Sequence, residues 1–141
     1  MEQTAFCYRT GDYHIVLEEG VRSELLTPEQ IYPVPFAPAW CVGLVAVRGE
    51  LFPVVDMHRV LLNQDRPEQP YLLCLRHESF EPIIVGCDSL PVQTETQKAD
   101  TNEHIPGLPG WIRRTWSTDK HVYLEADHRR LFSTLLNRQK R

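Results

Sequence analysis

The side chains able to do acid–base, metal or nucleophilic chemistry in this sequence are six histidines, His14, His58, His77, His104, His121 and His128, and four cysteines, Cys7, Cys41, Cys74 and Cys87. Metal sites legible in a sequence gather such residues at short fixed spacings. No His-x-x-x-His, His-Glu-x-x-His or Cys-x-x-Cys occurs here, so no metal site is expected. Neither a glycine-rich phosphate loop nor a Gly-x-Ser-x-Gly elbow is present. Asp56 and His58 imitate half of a catalytic triad, but they stand where a helix begins. A helix cap and an exposed helical histidine account for them. Asp88, before "SLP", reads as a turn-forming aspartate. An enzyme would have to assemble its site from residues distant in sequence. One charge still lacks a role: Arg48, set with Gly49 between two apolar runs in "GLVAVRGELFPVVDM". Five fixed guanidinium donors suit a binding groove better than a core, and a structural salt bridge is the alternative. Trp40, Trp111 and Trp116 read either as interface anchors or as core residues.

The elements that must position these residues are short. Apolar or alternating runs at 4–9, 13–17, 31–34, 42–47, 51–55, 71–76, 82–87 and 122–124 predict strands, and eleven prolines and seven glycines leave little room for long helices. Closely spaced short strands predict an all-β barrel or sandwich, in which closure protects the edges. Two segments predict short helices, "VVDMHRVLL" at 54–62 and "YLEADHRRLF" at 123–132. Aligned without gaps, His58-Arg59 falls on His128-Arg129 and Leu61 on Leu131. Ala126 then stands where the first copy has its capping Asp56. Two halves of similar plan are implied, each closing with a strand and a helix. The polar, proline-bearing stretch 63–70 is expected to connect two subdomains, and 93–103, without a strongly apolar residue, to form a surface loop.

A chain of 141 residues, 42% hydrophobic and 24% charged, fits one ordinary globular domain with a core. A net charge of −4 argues against nucleic-acid binding. The basic end "NRQKR" reads as a solvated tail. The opening residues do not resemble a signal peptide, and no apolar run is long enough to span a bilayer. The scattered cysteines therefore read as reduced, mostly buried side chains of a cytoplasmic protein.

The stretch 32–61, "YPVPFAPAWCVGLVAVRGELFPVVDMHRVL", resembles the signature of CheW-like domains. Pro35, Pro38, Gly43, Arg48, Gly49, Pro53, Val54 and Asp56 fall on the matching positions. The opening "TAFCYRTGDYHIVL" and the closing "LPGWIRRTWSTDKHVYLEADHRRLF" resemble the family's ends, so the likeness extends over nearly the whole chain. The resemblance implies two small five-stranded β-barrels packed around a shared apolar seam, with no catalysis and no cofactor. It implies an adaptor between the cytoplasmic tip of methyl-accepting chemoreceptors and the regulatory domain of a CheA-type histidine kinase, without nucleic acid and without membrane insertion. Arg48 and Gly49 match the family's receptor-facing groove, of which Val42, Gly43 and Leu44 would build one wall. Glu24 matches an acidic position near the kinase-facing surface. Ala46 replaces a frequent asparagine, "GCDSL" departs from the usual segment, and "WIRRTW" is more basic than typical. Those departures suit a paralogue serving type IV pilus twitching motility. The alternative from another class is a β-barrel module that binds a small ligand or an oligonucleotide.

Overall fold

The structure, a computed structural model, describes residues 4–27, 30–64, 69–95, 103, 105–118 and 120–137. The first half of the chain supplies β1 (Thr4–Thr10), β2 (Tyr13–Val16), β3 (Arg22–Leu26), β4 (Cys41–Val47), β5 (Glu50–Val55) and a five-residue π-helix, His58–Leu62. The second half supplies β6 (Tyr71–His77), β7 (Phe80–Cys87), β8 (Val92–Glu95), β9 (Ile112–Ser117), β10 (Val122–Ala126) and the helix α1 (His128–Asn137). They build two five-stranded sheets, ordered β8-β1-β2-β10-β9 and β3-β6-β7-β5-β4. Replacing each strand by its counterpart in the other half turns one order into the other. The halves are thus a structural duplication that has exchanged one strand: β3 leaves the first hairpin to edge the second sheet, and β8 returns to edge the first. The expected connector 63–70 stands between the two halves in sequence, and 65–68 of it lie outside the described residues. The chain passes between sheets at 17–21 and 88–91.

The long apolar runs follow from this packing. β6 and β7 bury both faces, as continuous apolar strands do. Leu73, Leu75, Ile83, Val85 and Cys87 face the central seam between the sheets, whereas Leu72, Cys74 and Ile84 fill the interior of the second sheet with Val45, Val47, Phe52 and Val54. The first sheet encloses a smaller cluster of Cys7, Val16 and Trp116. The expected strand at 31–34 is reduced to a single bridge, Tyr32 to Leu44. Residues 93–95 of the expected loop belong to β8, and 96–102, like the basic tail 138–141, lie outside the described residues.

Each half ends in a capped helix. The Asp56 carboxylate accepts the Arg59 N–H at 3.2 Å, and the Asp127 carboxylate accepts the Arg130 N–H at 3.0 Å. The caps are therefore equivalent, one residue off the gapless alignment that had placed Ala126 against Asp56. His58 is not exposed as expected: it is buried, because the acid of the second crossing reaches it. His58 Nε2 lies 2.8 Å from Asp88, and His128 Nδ1 lies 3.1 Å from Glu18 of the first crossing. Each helix histidine is thus held by the other half's crossing acid, and the two clamps fasten the duplicated halves together.

Asp88 is more than a turn former, since it also accepts the Gly11 N–H at 2.7 Å and the Gln69 amide at 3.3 Å. Burial raises its pKa, but the Gly11, His58 and Gln69 contacts outweigh that and hold it below the ordinary value of 3.8. A carboxyl held low in the folded chain contributes stability that is complete above its unfolded pKa and is lost as pH falls through the lower folded one. Asp88→Asn is expected to be the less stable protein at pH 7, with a gap that narrows below about pH 4. Melting temperatures measured between pH 7 and 2 check this; parallel curves would contradict it.

Candidate partner-binding surfaces

Arg48 and Gly49 are the two central residues of the β4–β5 hairpin, closed by the pair Val47 and Glu50. Their φ values are +50° and +85°. A two-residue loop with both φ positive is the type I′ turn, whose twist matches that of the strands it joins. Gly49 meets this requirement without strain, and Arg48 is held with its side chain on the outside. The guanidinium donates to both Glu24 carboxylate oxygens, Nη2 to Oε2 at 2.7 Å and Nη1 to Oε1 at 3.2 Å. Glu24 lies on β3 and Arg48 at the end of β4, the two edges of the second sheet. The ion pair therefore bridges these edges by side chains. It remains accessible, with 68% of the Arg48 and 38% of the Glu24 side chain exposed. Exposed Leu25 and Leu51 and a hollow of about 200 Å³ lie beside it.

The other expected residues sit mid-strand. Gly43 is buried at an irregularity of β4, with φ +154°. A Cβ there would lie 2.5 Å from the Tyr32 carbonyl oxygen, so the main chain of 31–32 fills the place of a side chain. Leu44 exchanges both backbone hydrogen bonds with Tyr32, at 2.8 and 2.9 Å. Val42 and Leu44 keep part of their surface exposed, Gly43 almost none. Glu24 and Arg48, assigned by resemblance to different partners, come together in one patch.

Sequence reasoning missed a larger groove, of about 760 Å³, lined by Trp40, Trp111, Leu131 and Leu135 with Arg59 and Arg130 among its walls. It is built from matching turns of the two halves. "VPFAPAW" at 34–40 and "IPGLPGW" at 105–111 share Pro-x-x-Pro-x-Trp at an interval of 71 residues. Asp56 N–H donates to the Trp40 carbonyl at 2.7 Å and Asp127 N–H to the Trp111 carbonyl at 2.8 Å, so each turn is tied to its own helix cap in the same way. That interval was the available signal. All three tryptophans are buried, as core residues.

Among the described residues, the cysteines and His14 have surroundings that shift their titration. The four cysteines are free, and burial pushes the thiols up, Cys7 to about 11, which leaves them protonated and poorly nucleophilic near neutral pH. His14 Nε2 contacts His121 Nδ1 at 3.2 Å, and burial, then His121 and Arg9, lower the His14 pKa. Among the described residues no three histidine, cysteine or acidic side chains converge on a possible metal position, and no helix is long and apolar enough to cross a membrane.

Comparison with known proteins agrees with this architecture. A family model described as the CheW-like domain matches residues 6–135. Protein FrzA of Myxococcus xanthus is 35% identical over 60 residues, a match covering 43% of this chain and 38% of that protein. The chain thus spans well under half of that relative's length. The crystal structure of scaffolding protein TtCheW from Thermoanaerobacter tengcongensis superposes with a TM-score of 0.76 at 14% identity, over 94% of this chain and 88% of that one. At that identity the likeness is one of fold.

Proposed function

Because the chain belongs to the family of CheW-like domains, we propose that it is a non-catalytic cytoplasmic adaptor. It couples the cytoplasmic tip of a chemoreceptor to the regulatory domain of a CheA-type histidine kinase, with chemotaxis or twitching motility as the output. The observation that carries this reading is the accessible Arg48–Glu24 pair. A type I′ hairpin presents the guanidinium from a rigid base, and exposed Leu25 and Leu51 lend apolar area beside it. That combination fits a helical partner bearing carboxylates and leucine-sized side chains. In the folded monomer such an exposed pair contributes under about 1 kcal/mol, so stability alone gives little reason for it. The shared ion pair favours reading Glu24 with the Arg48 patch rather than as a separate kinase contact. Val42 and Leu44, six and four residues back along β4 from Arg48, lie outside this patch, with Leu44 bonded to Tyr32.

The test is co-sedimentation with a receptor cytoplasmic fragment from the same cell. Arg48→Ala is expected to lower affinity about tenfold or more, with a melting temperature within about 3 °C of wild type. Undiminished receptor binding by Arg48→Ala would remove this patch from the account.

A further inference from the structure

At one position, Phe36 against Gly107, the two matching turns differ in a way that has no use inside the molecule. Residues 34–37 form a β-turn in which the Ala37 N–H donates to the Val34 carbonyl at 3.2 Å, with Pro35 second and Phe36 third. Phe36 has φ +61°. Proline second and a positive φ third are the marks of a type II turn, which favours glycine at the third position because a Cβ there is crowded. The duplicate turn, 105–108, has Gly107 at this position, with φ +84°. The fold therefore carries its own control. One copy follows the conformational rule, and the other places a phenylalanine where glycine is easier.

Phe36 gains nothing from the fold in return, for its side chain is fully exposed. Tyr32 and Val34 of the same loop are also exposed, which makes an apolar ridge with Phe36 at its tip. Prolines at 33, 35 and 38 brace the loop, so little conformational freedom is left to lose on binding. A rigid exposed aromatic next to lesser apolar contacts has the form of a binding hot spot. No charged residue occurs between Ile31 and Val47, so no basic ring accompanies the ridge to attract anionic lipid. This favours a protein partner over a membrane.

We propose that Phe36 is a preorganised anchor that seats in an apolar pocket of the kinase's regulatory domain. The choice of kinase rests on the adaptor reading above. Phe36 precedes β4 and Arg48 follows it, and a seven-residue strand separates its ends by about 20 Å. An adaptor holding two partners at once needs two separated surfaces, and the ion pair with Glu24 draws the expected kinase contact into the Arg48 patch. The ridge at the other end of β4, tipped by the fully exposed Phe36, is an apolar surface free for the second partner.

Calorimetric titration of the kinase's regulatory domain with wild type, Phe36→Gly and Phe36→Trp tests this, with melting curves and binding to phosphatidylglycerol–phosphatidylcholine vesicles run in parallel. Phe36→Gly is expected to melt at or above the wild-type temperature while binding the regulatory domain about tenfold more weakly or worse. Phe36→Trp is expected to bind within about threefold of wild type. Wild-type affinity in Phe36→Gly would overturn the anchor and leave the adaptor reading intact. A lowered melting temperature in Phe36→Gly would overturn it too, by showing that the ring packs within the chain. Vesicle binding that Phe36→Gly abolishes, with kinase binding unchanged, would reassign the ridge to lipid. No binding of wild type to the regulatory domain would overturn both the anchor and the kinase half of the adaptor reading.

Discussion

Replacing His128 by alanine is expected to destabilise the protein by about 4 kcal/mol. The ring is fully buried and joins three parts of the chain. Its Nδ1 lies 3.1 Å from Glu18 of the first crossing, its Nε2 lies 2.9 Å from the Tyr8 hydroxyl of β1, and it packs beside Phe132 of α1. Burial holds the Tyr8 pKa well above its ordinary value, so a protonated phenol keeps needing a partner. Alanine at 128 would leave that hydroxyl unpaired in the core, open a cavity under α1, and remove the ring from Glu18. Losses of this type lie among the largest that single substitutions produce. His58→Ala is expected to cost about half as much, because Asp88 retains the Gly11 and Gln69 donors. Urea denaturation of both variants checks the order as well as the size. A cost below about 1 kcal/mol for His128→Ala would mean that the crossing clamps do not hold the halves together.

Gly43→Val is expected to cost about 3 kcal/mol, for a separate reason. A Cβ at 43 would stand 2.5 Å from the Tyr32 oxygen and 2.8 Å from an Ile31 methyl group. The nearest obstacle is main chain, which cannot swing aside as a side-chain tip does, and φ +154° is poorly suited to a β-branched residue. Relief requires segment 31–32 to lift off β4 and surrender the two Tyr32–Leu44 hydrogen bonds. Hydrogen exchange at the Leu44 amide reports that event directly. The variant should lose protection there first, whereas unchanged protection with a small cost in stability would contradict the expectation.

The parts of the fold that were legible in the sequence are the apolar ones, the edge strand β4 among them. β1, β2, β4, β5, β6, β7 and β10 carry apolar runs because at least one face of each is buried in a core cluster. The strands that escaped notice, β3, β8 and β9, are all sheet edges. "RSELL" and "VQTE" display the polar side chains that protect an edge from pairing with other chains. "IRRTWS" read as a basic oddity because its partners were unseen: Arg114 pairs with Glu125 of β10 at 2.6 Å, and Arg113 with Asp127 at 3.1 Å. Of the candidate surface, the Arg48-Gly49 turn was readable, since its demand for positive φ is local. Its partner Glu24 was not, because only the curvature of the second sheet brings β3 and the β4 end together. The buried role of His58 was hidden for the same reason, as Asp88 lies thirty residues away. The duplication showed faintly at the helices, where the gapless alignment slipped by one residue. Its clearer trace, the two proline–tryptophan turns, went unread because they share only the two prolines and the tryptophan of Pro-x-x-Pro-x-Trp and none of the residues between.

Bridging is the property that the two surfaces together require. An adaptor must hold its two partners at the same time, which requires the Arg48 patch and the Phe36 ridge to be independent surfaces. The decisive measurement is sedimentation of a mixture of the receptor cytoplasmic fragment, the regulatory domain of the CheA-type kinase and this protein. A ternary species is expected that disappears when this protein is left out and is lost separately in Arg48→Ala and Phe36→Gly, each variant still binding one partner. Competition between the receptor fragment and the regulatory domain for this protein, with no ternary species at any ratio, would contradict it.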